Sequence, residues 1–246
     1  MGTITILGDG ALGRAVAAAL EGRGETTRVA GRPGGAGHDS ATFVGADVVV
    51  DASRGEAVLA NVRDATAAGC RYFLLATTGW QADADEVAAI LRRSGAVAVA
   101  APNLSIGAAV FLRLAEAAAR LTASTGGFEP SVVEWHRRAK ADRPSGTARE
   151  IVRRLATWLP IGVDEVAVVR SGFMPGQHAV AFDGPSETLE LRLTSRDRAG
   201  YAAGALIAID WLRGTTRSPG IHPFDEVVDA LFEPTGRSAQ DAAMAV

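Results

Sequence analysis

Residues 134–148 carry the side chains of this sequence that are best suited to proton transfer and anion binding. The stretch reads Glu-Trp-His-Arg-Arg-Ala-Lys-Ala-Asp-Arg-Pro-Ser-Gly-Thr-Ala. His136 could supply a proton at neutral pH, because an unperturbed imidazole titrates close to it. Lys140 is the single lysine among 25 basic residues, which favours a role that needs a compact, titratable ammonium. Chance retention of one lysine is the alternative interpretation.

A binding site for an anion is predicted just after this lysine. Pro144 favours extended backbone at the preceding residue, and the next three residues are typical of a helix start. Their hydroxyls and free backbone N–H groups could bind a carboxylate or a phosphate. The alternatives are a capping role for the serine, a solvated basic loop and a surface histidine. The predicted substrate-binding residues are Arg137, Lys140, Ser145, Gly146 and Thr147.

A glycine-rich turn near the N-terminus predicts a dinucleotide site. The pattern Gly8-x-Gly10-x-x-Gly13 follows a predicted strand and opens a predicted helix, which is the context that makes this fingerprint specific. The glycines permit a tight turn and a close approach of backbone to a pyrophosphate at the helix N-terminus. A similar turn without a nucleotide is the alternative. The predicted cofactor-binding residues of the turn are Gly8, Asp9, Gly10, Ala11, Leu12 and Gly13.

The residue type after the second predicted strand bears on the choice of nicotinamide cofactor. NAD-selective sites usually carry Asp or Glu about 20 residues beyond the glycines, where the carboxylate binds the ribose 2′-hydroxyl. Residues 29–33 instead read Val-Ala-Gly-Arg-Pro. Arg32 suits a 2′-phosphate, so NADPH is predicted as the preferred cofactor and NADH as the second candidate. An exposed loop arginine without a ligand is the alternative.

The pattern of apolar runs predicts an α/β fold in two parts. In residues 1–104, continuously apolar strands alternate with helices, which indicates a doubly wound parallel sheet covered on both faces. Residues 105–214 are predicted to be α+β with longer antiparallel strands, and a linker over Thr215–Gly220 leads to a final helix. The predicted strands are Thr3–Leu7, Thr27–Ala30, Ala46–Asp51, Tyr72–Ala76, Val97–Ala101, Ser131–Glu134, Val166–Arg170, Ala179–Asp183 and Thr188–Thr194.

Composition and charge exclude several classes of protein. The 246 residues are 48% hydrophobic and carry a formal net charge of −3, so nucleic-acid binding is not expected. One cysteine, Cys70, excludes an intrachain disulfide and a multi-cysteine zinc site, and it fits a reducing cytoplasm. The longest apolar stretch, residues 96–112, is interrupted by Pro102 and Asn103, so no membrane span is expected. No metal site is predicted.

Residues 134–148 resemble the dihydrodipicolinate reductase family, whose signature is Glu-x-His-His-x-x-Lys-x-Asp-x-Pro-Ser-Gly-Thr-Ala. The chain matches it at Glu134, His136, Lys140, Asp142 and residues 144–148. The resemblance extends over nearly the whole chain. The further similar motifs, in the family's order, are Ala76-Thr77-Thr78-Gly79, Ala101-Pro102-Asn103-Leu104-Ser105-Ile106-Gly107, Arg170-x-Gly172, Gly176-x-His178 and Arg198-x-x-Tyr201.

The resemblance implies a fold, a reaction and several site residues. It implies an N-terminal Rossmann domain (residues 1–104 and 215–246) around an inserted α+β domain (residues 105–214) that binds substrate and builds a homotetramer. The implied reaction is the NADH- or NADPH-dependent reduction of a cyclic imine dicarboxylate, a small anionic substrate, in lysine biosynthesis. His136 and Lys140 take acid and base roles. The carboxylates are held by Lys140, Gly146, Thr147 and the position of Arg137, and implied cofactor contacts are Ala76, Thr77, Thr78, Ala101, Pro102, Asn103 and Leu104.

Departures from the family pattern leave the substrate open. Arg137 replaces the second histidine of the signature, Ala76 replaces a glycine, and Leu193 stands where the family carries a late-strand histidine. Three interpretations follow: the lysine-pathway reaction, a paralogue that reduces another amino-acid-derived imine or enamine in a specialised pathway, and a non-catalytic NADP-binding sensor. Lys140 and His136 argue against the sensor, which needs no proton donor.

Overall fold

The computed structural model describes residues 2–31 and 37–232. The chain forms two compact units, Met1–Leu104 with Gly204–Val246, and Ser105–Ala203. The first contains a parallel sheet with helices and the second a mixed sheet with helices, so the predicted α/β class is confirmed. None of the helices in the described ranges has the length and hydrophobicity of a membrane span.

The regular elements of the described residues alternate along most of the chain. The strands are β1 (Thr3–Leu7), β2 (Thr27–Ala30), β3 (Ala46–Asp51), β4 (Tyr72–Leu75), β5 (Val97–Ala100), β6 (Glu129–His136), β7 (Ala167–Arg170), β8 (Gly176–Asp183), β9 (Thr188–Ser195) and β10 (Gly220–Pro223). The α-helices are α1 (Ala11–Gly22), α2 (Val58–Ala67), α3 (Ala84–Ser94), α4 (Ile106–Thr125), α5 (Gly146–Leu155), α6 (Ala199–Gly214) and α7 (Phe224–Phe232).

The first unit contains a six-stranded parallel sheet in the order β10-β5-β4-β3-β1-β2. Its central strands are short apolar runs, buried because helices cover both faces of the sheet. The strand order reverses between β1 and β3, and open α/β sheets bind ligands in the crevice outside the carboxyl ends of such a pair. Gly8 follows β1 and Ala52 follows β3, so the glycine-rich turn lies at the switch point.

The C-terminal segment that belongs to the first unit differs from the prediction in two ways. β10 pairs in parallel with β5, although residues 215–220 were predicted as a linker and no strand was predicted after them. The second boundary between the units falls at Gly204 rather than at Thr215. The reason is that the C-terminal part of α6 is tied to the first unit, where Arg213 forms ion pairs with Glu25 and Asp47 at 2.8 Å.

The second unit contains a four-stranded mixed sheet in the order β7-β6-β8-β9. β6 pairs antiparallel with β8 and in parallel with β7, so the longer strands are antiparallel as expected and the short strand β7 adds one parallel pair. One face packs on α4 and α5 through an apolar cluster that includes Val132, Ile151 and Phe182. Pairing on both edges extends β6 to His136, beyond the predicted end at Glu134.

Candidate functional site

The end of β6 brings three titratable side chains together. Glu134 and His136 are two residues apart on one strand, so their side chains point to the same face. His178 on β8 lies opposite Glu134 in the strand register. The ring centroids of His136 and His178 are 5.2 Å apart. The sheet register therefore gathers one carboxylate and two imidazoles on the described part of the second unit.

Glu134 is a fully buried carboxylate whose two oxygens face hydrogen-bond donors. The backbone N–H of Ser145 donates to Oε1 at 3.0 Å and Arg170 Nη2 donates to the same oxygen at 2.6 Å. His178 Nε2 lies 3.6 Å from Oε2. Burial alone would raise the pKa of Glu134, but the hydrogen-bonding groups of His178, Ser145 and Arg170 hold this pKa far below its ordinary value. Glu134 is therefore ionised at physiological pH.

Arg170, at the end of β7, holds the loop that carries the lysine. Its guanidinium is only 1% exposed. Besides pairing with Glu134, it donates from Nε to the carbonyl of Lys140 at 3.3 Å and from Nη2 to the carbonyl of Asp142 at 2.5 Å. One buried cation thus fixes the backbone of residues 140–142 against β6.

A metal ion is a poor fit for this cluster. Glu134, His136 and His178 each offer one possible ligand atom, and these atoms lie within 4.8 Å of one another. However, the Glu134 oxygens already accept hydrogen bonds from Arg170 and Ser145. A cation here would have to compete with a buried guanidinium for the single carboxylate, so the donor set favours the ion pair.

His136 is held in its neutral form. Burial lowers its pKa to about 4, against the opposing effect of Glu134, whose Oε2 lies 3.5 Å from Nδ1. Nδ1 is buried without a hydrogen-bond partner among the described residues; a proton on this nitrogen, which faces the carboxylate, would leave Nε2 as the hydrogen-bond acceptor. Nε2 points towards Gly176, where an added Cβ would lie 3.2 Å from it. The expectation that His136 supplies a proton at neutral pH is therefore not supported by its surroundings in the protein without substrate.

Lys140 forms an ion pair with a residue of its own loop. Its Nζ lies 2.7 Å from Oδ1 and 3.0 Å from Oδ2 of Asp142. Burial tends to raise the pKa of Asp142, but the Lys140 ammonium and backbone N–H groups, including that of Gly146, lower it below its ordinary value. The ammonium remains partly exposed, so it is available to a ligand that can displace Asp142.

The predicted anion-binding residues at the start of α5 divide into two kinds. Ser145 is buried, its N–H is used by Glu134, and its Oγ accepts from the N–H of Ala148 at 3.2 Å and contacts His178 Nε2 at 3.1 Å. Ser145 is therefore a helix cap in this structure, which was the alternative interpretation. Gly146 is exposed, and an added Cβ would meet no atom within 4 Å. The open part of the helix start thus lies at Gly146, and Arg137 is exposed upstream of it.

The glycine-rich turn of the first unit is shaped by close backbone approach. Gly8 has φ +99°, and an added Cβ would lie 2.6 Å from the carbonyl oxygen of Ala52. A Cβ on Gly13 would overlap the carbonyl oxygen of Gly8. Gly10 is the N-cap residue of α1, and an added Cβ on it would meet no atom within 4 Å. This turn leaves the helix N-terminus clear for a phosphate, so the residues present fit a dinucleotide.

A buried hydrogen-bond chain supports the end of β2. Asn61 Nδ2 donates to Asp51 Oδ2 at 2.8 Å, and Asn61 Oδ1 accepts from the backbone N–H of His38 at 3.0 Å. His38 Nε2 lies 2.8 Å from the carbonyl oxygen of Gly31. Since a carbonyl only accepts, Nε2 must carry the proton. Sequence reasoning missed this chain, because its members come from three distant segments.

The remaining predicted cofactor residues follow β4 and β5, at the same edge of the parallel sheet as the glycine-rich turn. Ala76, Thr77 and Thr78 follow β4 directly, and Thr77 accepts from Trp80 Nε1 through its carbonyl at 3.1 Å. Ala101 and Leu104 are buried, whereas Pro102 is exposed and Asn103 partly so. Ala101 and Leu104 can therefore offer only backbone groups to a ligand.

One basic and one acidic residue are relevant to whether a cofactor with a 2′-phosphate or a 2′-hydroxyl would fit at the end of β2. Arg32, on which the NADPH prediction rests, lies outside the described residues. The carboxylate of Asp9 lies beside Gly31, because an added Cβ on this glycine would be 3.5 Å from Asp9 Oδ2. The carboxylate of an acid in the glycine-rich turn thus lies beside the end of β2, although residues 29–33 themselves contain no acid.

Comparisons with known proteins show which family the chain is similar to. The family model described as "Dihydrodipicolinate reductase, C-terminus" matches residues 107–228. A 4-hydroxy-tetrahydrodipicolinate reductase of Caulobacter vibrioides is 33% identical over an alignment of 252 positions, which covers 89% of this chain and 94% of the relative. The enzyme of the same name from Myxococcus xanthus is 34% identical over 202 residues, 74% of this chain and 72% of that relative.

A solved structure shares the fold. The dipicolinate-bound dihydrodipicolinate reductase of Paenisporosarcina sp. superposes with a TM-score of 0.72 at 17% identity and covers 91% of this chain and 97% of that one. The family model, the identity to full-length relatives and this fold agree with each other. The chain therefore belongs to the dihydrodipicolinate reductase family of oxidoreductases.

Proposed function

We propose that the protein reduces 4-hydroxy-tetrahydrodipicolinate, a cyclic dicarboxylate, with NADPH or NADH. The single observation that carries this proposal is the Lys140 ammonium beside the start of α5, in a loop that buried Arg170 fixes onto β6. A dicarboxylate needs fixed positive groups, and an ammonium can also deliver a proton. The names of the relatives support the same reaction.

The chain's own residues then take separate roles. When bound at the glycine-rich turn, the cofactor supplies a hydride. Lys140 and the Gly146 N–H hold a substrate carboxylate. Loss of the substrate's 4-hydroxyl group and a neighbouring hydrogen as water leaves a conjugated imine, and Lys140 Nζ supplies the proton that balances the negative charge left when the hydride adds to it. His136, kept neutral mainly by burial, receives a hydrogen bond from the substrate on Nε2 and orients it. These roles follow the charge states that burial and neighbouring groups impose on the site.

The cofactor preference proposed here is NADPH with NADH as a usable second. Arg32 favours a 2′-phosphate, whereas the carboxylate of Asp9 beside Gly31 suits the ribose hydroxyls of NADH. Dissociation constants of both cofactors, measured by calorimetry, test this preference. Equal or tighter binding of NADH would remove the preference for NADPH.

Arg137 supports the second candidate function, a paralogue with a different anionic substrate. An exposed arginine cannot titrate and grips a carboxylate through two parallel hydrogen bonds, unlike the histidine of the family signature. A steady-state assay with the product of a coupled dihydrodipicolinate synthase decides. Family-like turnover supports the lysine-pathway reaction, and poor turnover restored by Arg137→His supports the paralogue. If the protein binds the cofactor but turns over no imine, the remaining hypothesis is the non-catalytic NADP-binding sensor.

The proposed assembly is the homotetramer of the family. Within the second unit, the edge strand β9 is largely exposed, and Leu189 on it is 45% exposed. Exposed apolar residues on an edge strand are typical of surfaces covered by another copy. Light scattering coupled to size-exclusion chromatography tests the assembly, and a monomer would contradict it.

A further inference from the structure

Asp142 occupies the ammonium that the proposed function assigns to a substrate carboxylate. Both of its carboxylate oxygens lie within 3.0 Å of Lys140 Nζ. The backbone N–H of Gly146, at the start of α5, is among the groups that lower the pKa of Asp142. One carboxylate of the chain itself therefore binds the ammonium as a substrate carboxylate would.

The position of the loop does not depend on this carboxylate. The backbone carbonyls of Lys140 and Asp142 both accept hydrogen bonds from buried Arg170, and the Lys140 N–H donates to the carbonyl of Arg137 at 3.1 Å. The Asp142 side chain is 51% exposed. It can therefore rotate towards solvent while the backbone of the loop stays in place.

We propose that Asp142 is a tethered competitor of the substrate: its carboxylate holds Lys140 until a carboxylate of the substrate displaces it. The proposal rests on the proposed function, because it takes Lys140 as the substrate's partner. An ion pair this exposed is weak, so a dicarboxylate with a second point of attachment displaces it. The competition lowers the substrate's affinity and keeps weakly binding monovalent anions off Lys140.

The test is calorimetric titration of dipicolinate, used as a stable cyclic dicarboxylate, into the full-length protein and its variants. Asp142→Asn and Asp142→Ala remove the competitor, and we expect each to tighten the dipicolinate dissociation constant about three- to tenfold. Asp164→Asn is the matched control, because it removes an equal charge from an exposed position of the same unit. NADPH is titrated separately into every protein, and circular dichroism checks folding.

The direction of the change decides the inference. Tighter dipicolinate binding by both Asp142 variants, with the control and the NADPH constants unchanged, supports the competitor. Unchanged or weaker dipicolinate binding overturns it, and a parallel drop in kcat would identify Asp142 as a residue that positions Lys140. Absence of dipicolinate binding in all the proteins, despite NADPH binding, would overturn the proposed substrate class together with the inference. Absence of NADPH binding alone would concern only the proposed cofactor.

Discussion

The candidate binding regions of the two units, which we call their ends, are built from different kinds of groups. In the first unit, Gly8, Gly10 and Gly13 leave side chains out, so that backbone N–H groups and a helix N-terminus are exposed. In the second unit, the buried ions Glu134 and Arg170 hold a loop with a charged tip. The end of the first unit is formed by six consecutive residues, Gly8 to Gly13, whereas the end of the second unit needs β6, β7, β8 and α5. Single substitutions should therefore affect the two ends differently: those in the first change ligand binding locally, and those in the second can also change stability.

The largest expected effect is on Lys140. Because this residue holds a carboxylate and supplies a proton, Lys140→Ala should lower kcat/KM by about 10²–10⁴-fold. Lys140→Arg keeps the charge without an accessible proton transfer near neutral pH, so it should restore binding more than turnover. Steady-state kinetics checks both variants. Near-normal turnover of Lys140→Ala would remove this residue from the chemistry.

Removal of the buried guanidinium should have the largest effect on stability. Arg170→Met leaves the Glu134 carboxylate buried without its cation, which typically costs about 3–5 kcal/mol of unfolding free energy. The matched control is Arg192→Met, since the Arg192–Glu190 pair of the same unit is about half exposed at both partners and should contribute about 1 kcal/mol or less. Urea denaturation measures the unfolding free energy of both variants. Similar losses of unfolding free energy in the two would show that burial does not distinguish these ion pairs.

Acid should weaken the second unit through His136. Its pKa is about 4 in the folded protein and near 6.5 when unfolded, so the unfolded chain binds the extra proton as the pH falls. Stability from this residue is complete above pH 6.5 and should decline by about 2 kcal/mol between pH 7 and 5. The contributions of Glu134 and Asp142, whose pKa values are lowered, are lost only at lower pH. His136→Gln should reduce the slope in that window, and an unchanged slope would contradict the neutral imidazole.

Sequence reasoning anticipated the local geometry of the glycine-rich turn, and it anticipated the arrangement around Glu134 only in part. The glycine-rich turn is read from spacing alone, because its physics lies in the backbone of neighbouring residues. His136 and Lys140 were found from their chemistry and the family signature. Arg170 and His178 were noted only as parts of family-like motifs, and their contacts with Glu134 were not predicted, because strand register creates them.

Two further misses have similar causes. The short strand β10 has glycine and proline at its ends, and its β character comes only from pairing with β5. Ser145 was predicted to bind substrate, yet its donors and acceptors are consumed within the fold. Neither strand pairing nor the use of a hydroxyl is visible in spacing. Asp142 was noted as a match to the family signature, but no contact or role was predicted for it.

The most direct test of the account is whether the two ends can be disabled separately. Calorimetry would measure NADPH and dipicolinate binding to Gly13→Ala, whose Cβ overlaps the carbonyl of Gly8, and to Lys140→Ala, with Gly22→Ala as control because its Cβ meets open space. We expect Gly13→Ala to weaken NADPH at least about tenfold and leave dipicolinate unchanged. Lys140→Ala should weaken dipicolinate binding and leave NADPH binding unchanged. Loss of NADPH binding in Lys140→Ala, or its retention in Gly13→Ala, would contradict the separate roles assigned to the two units.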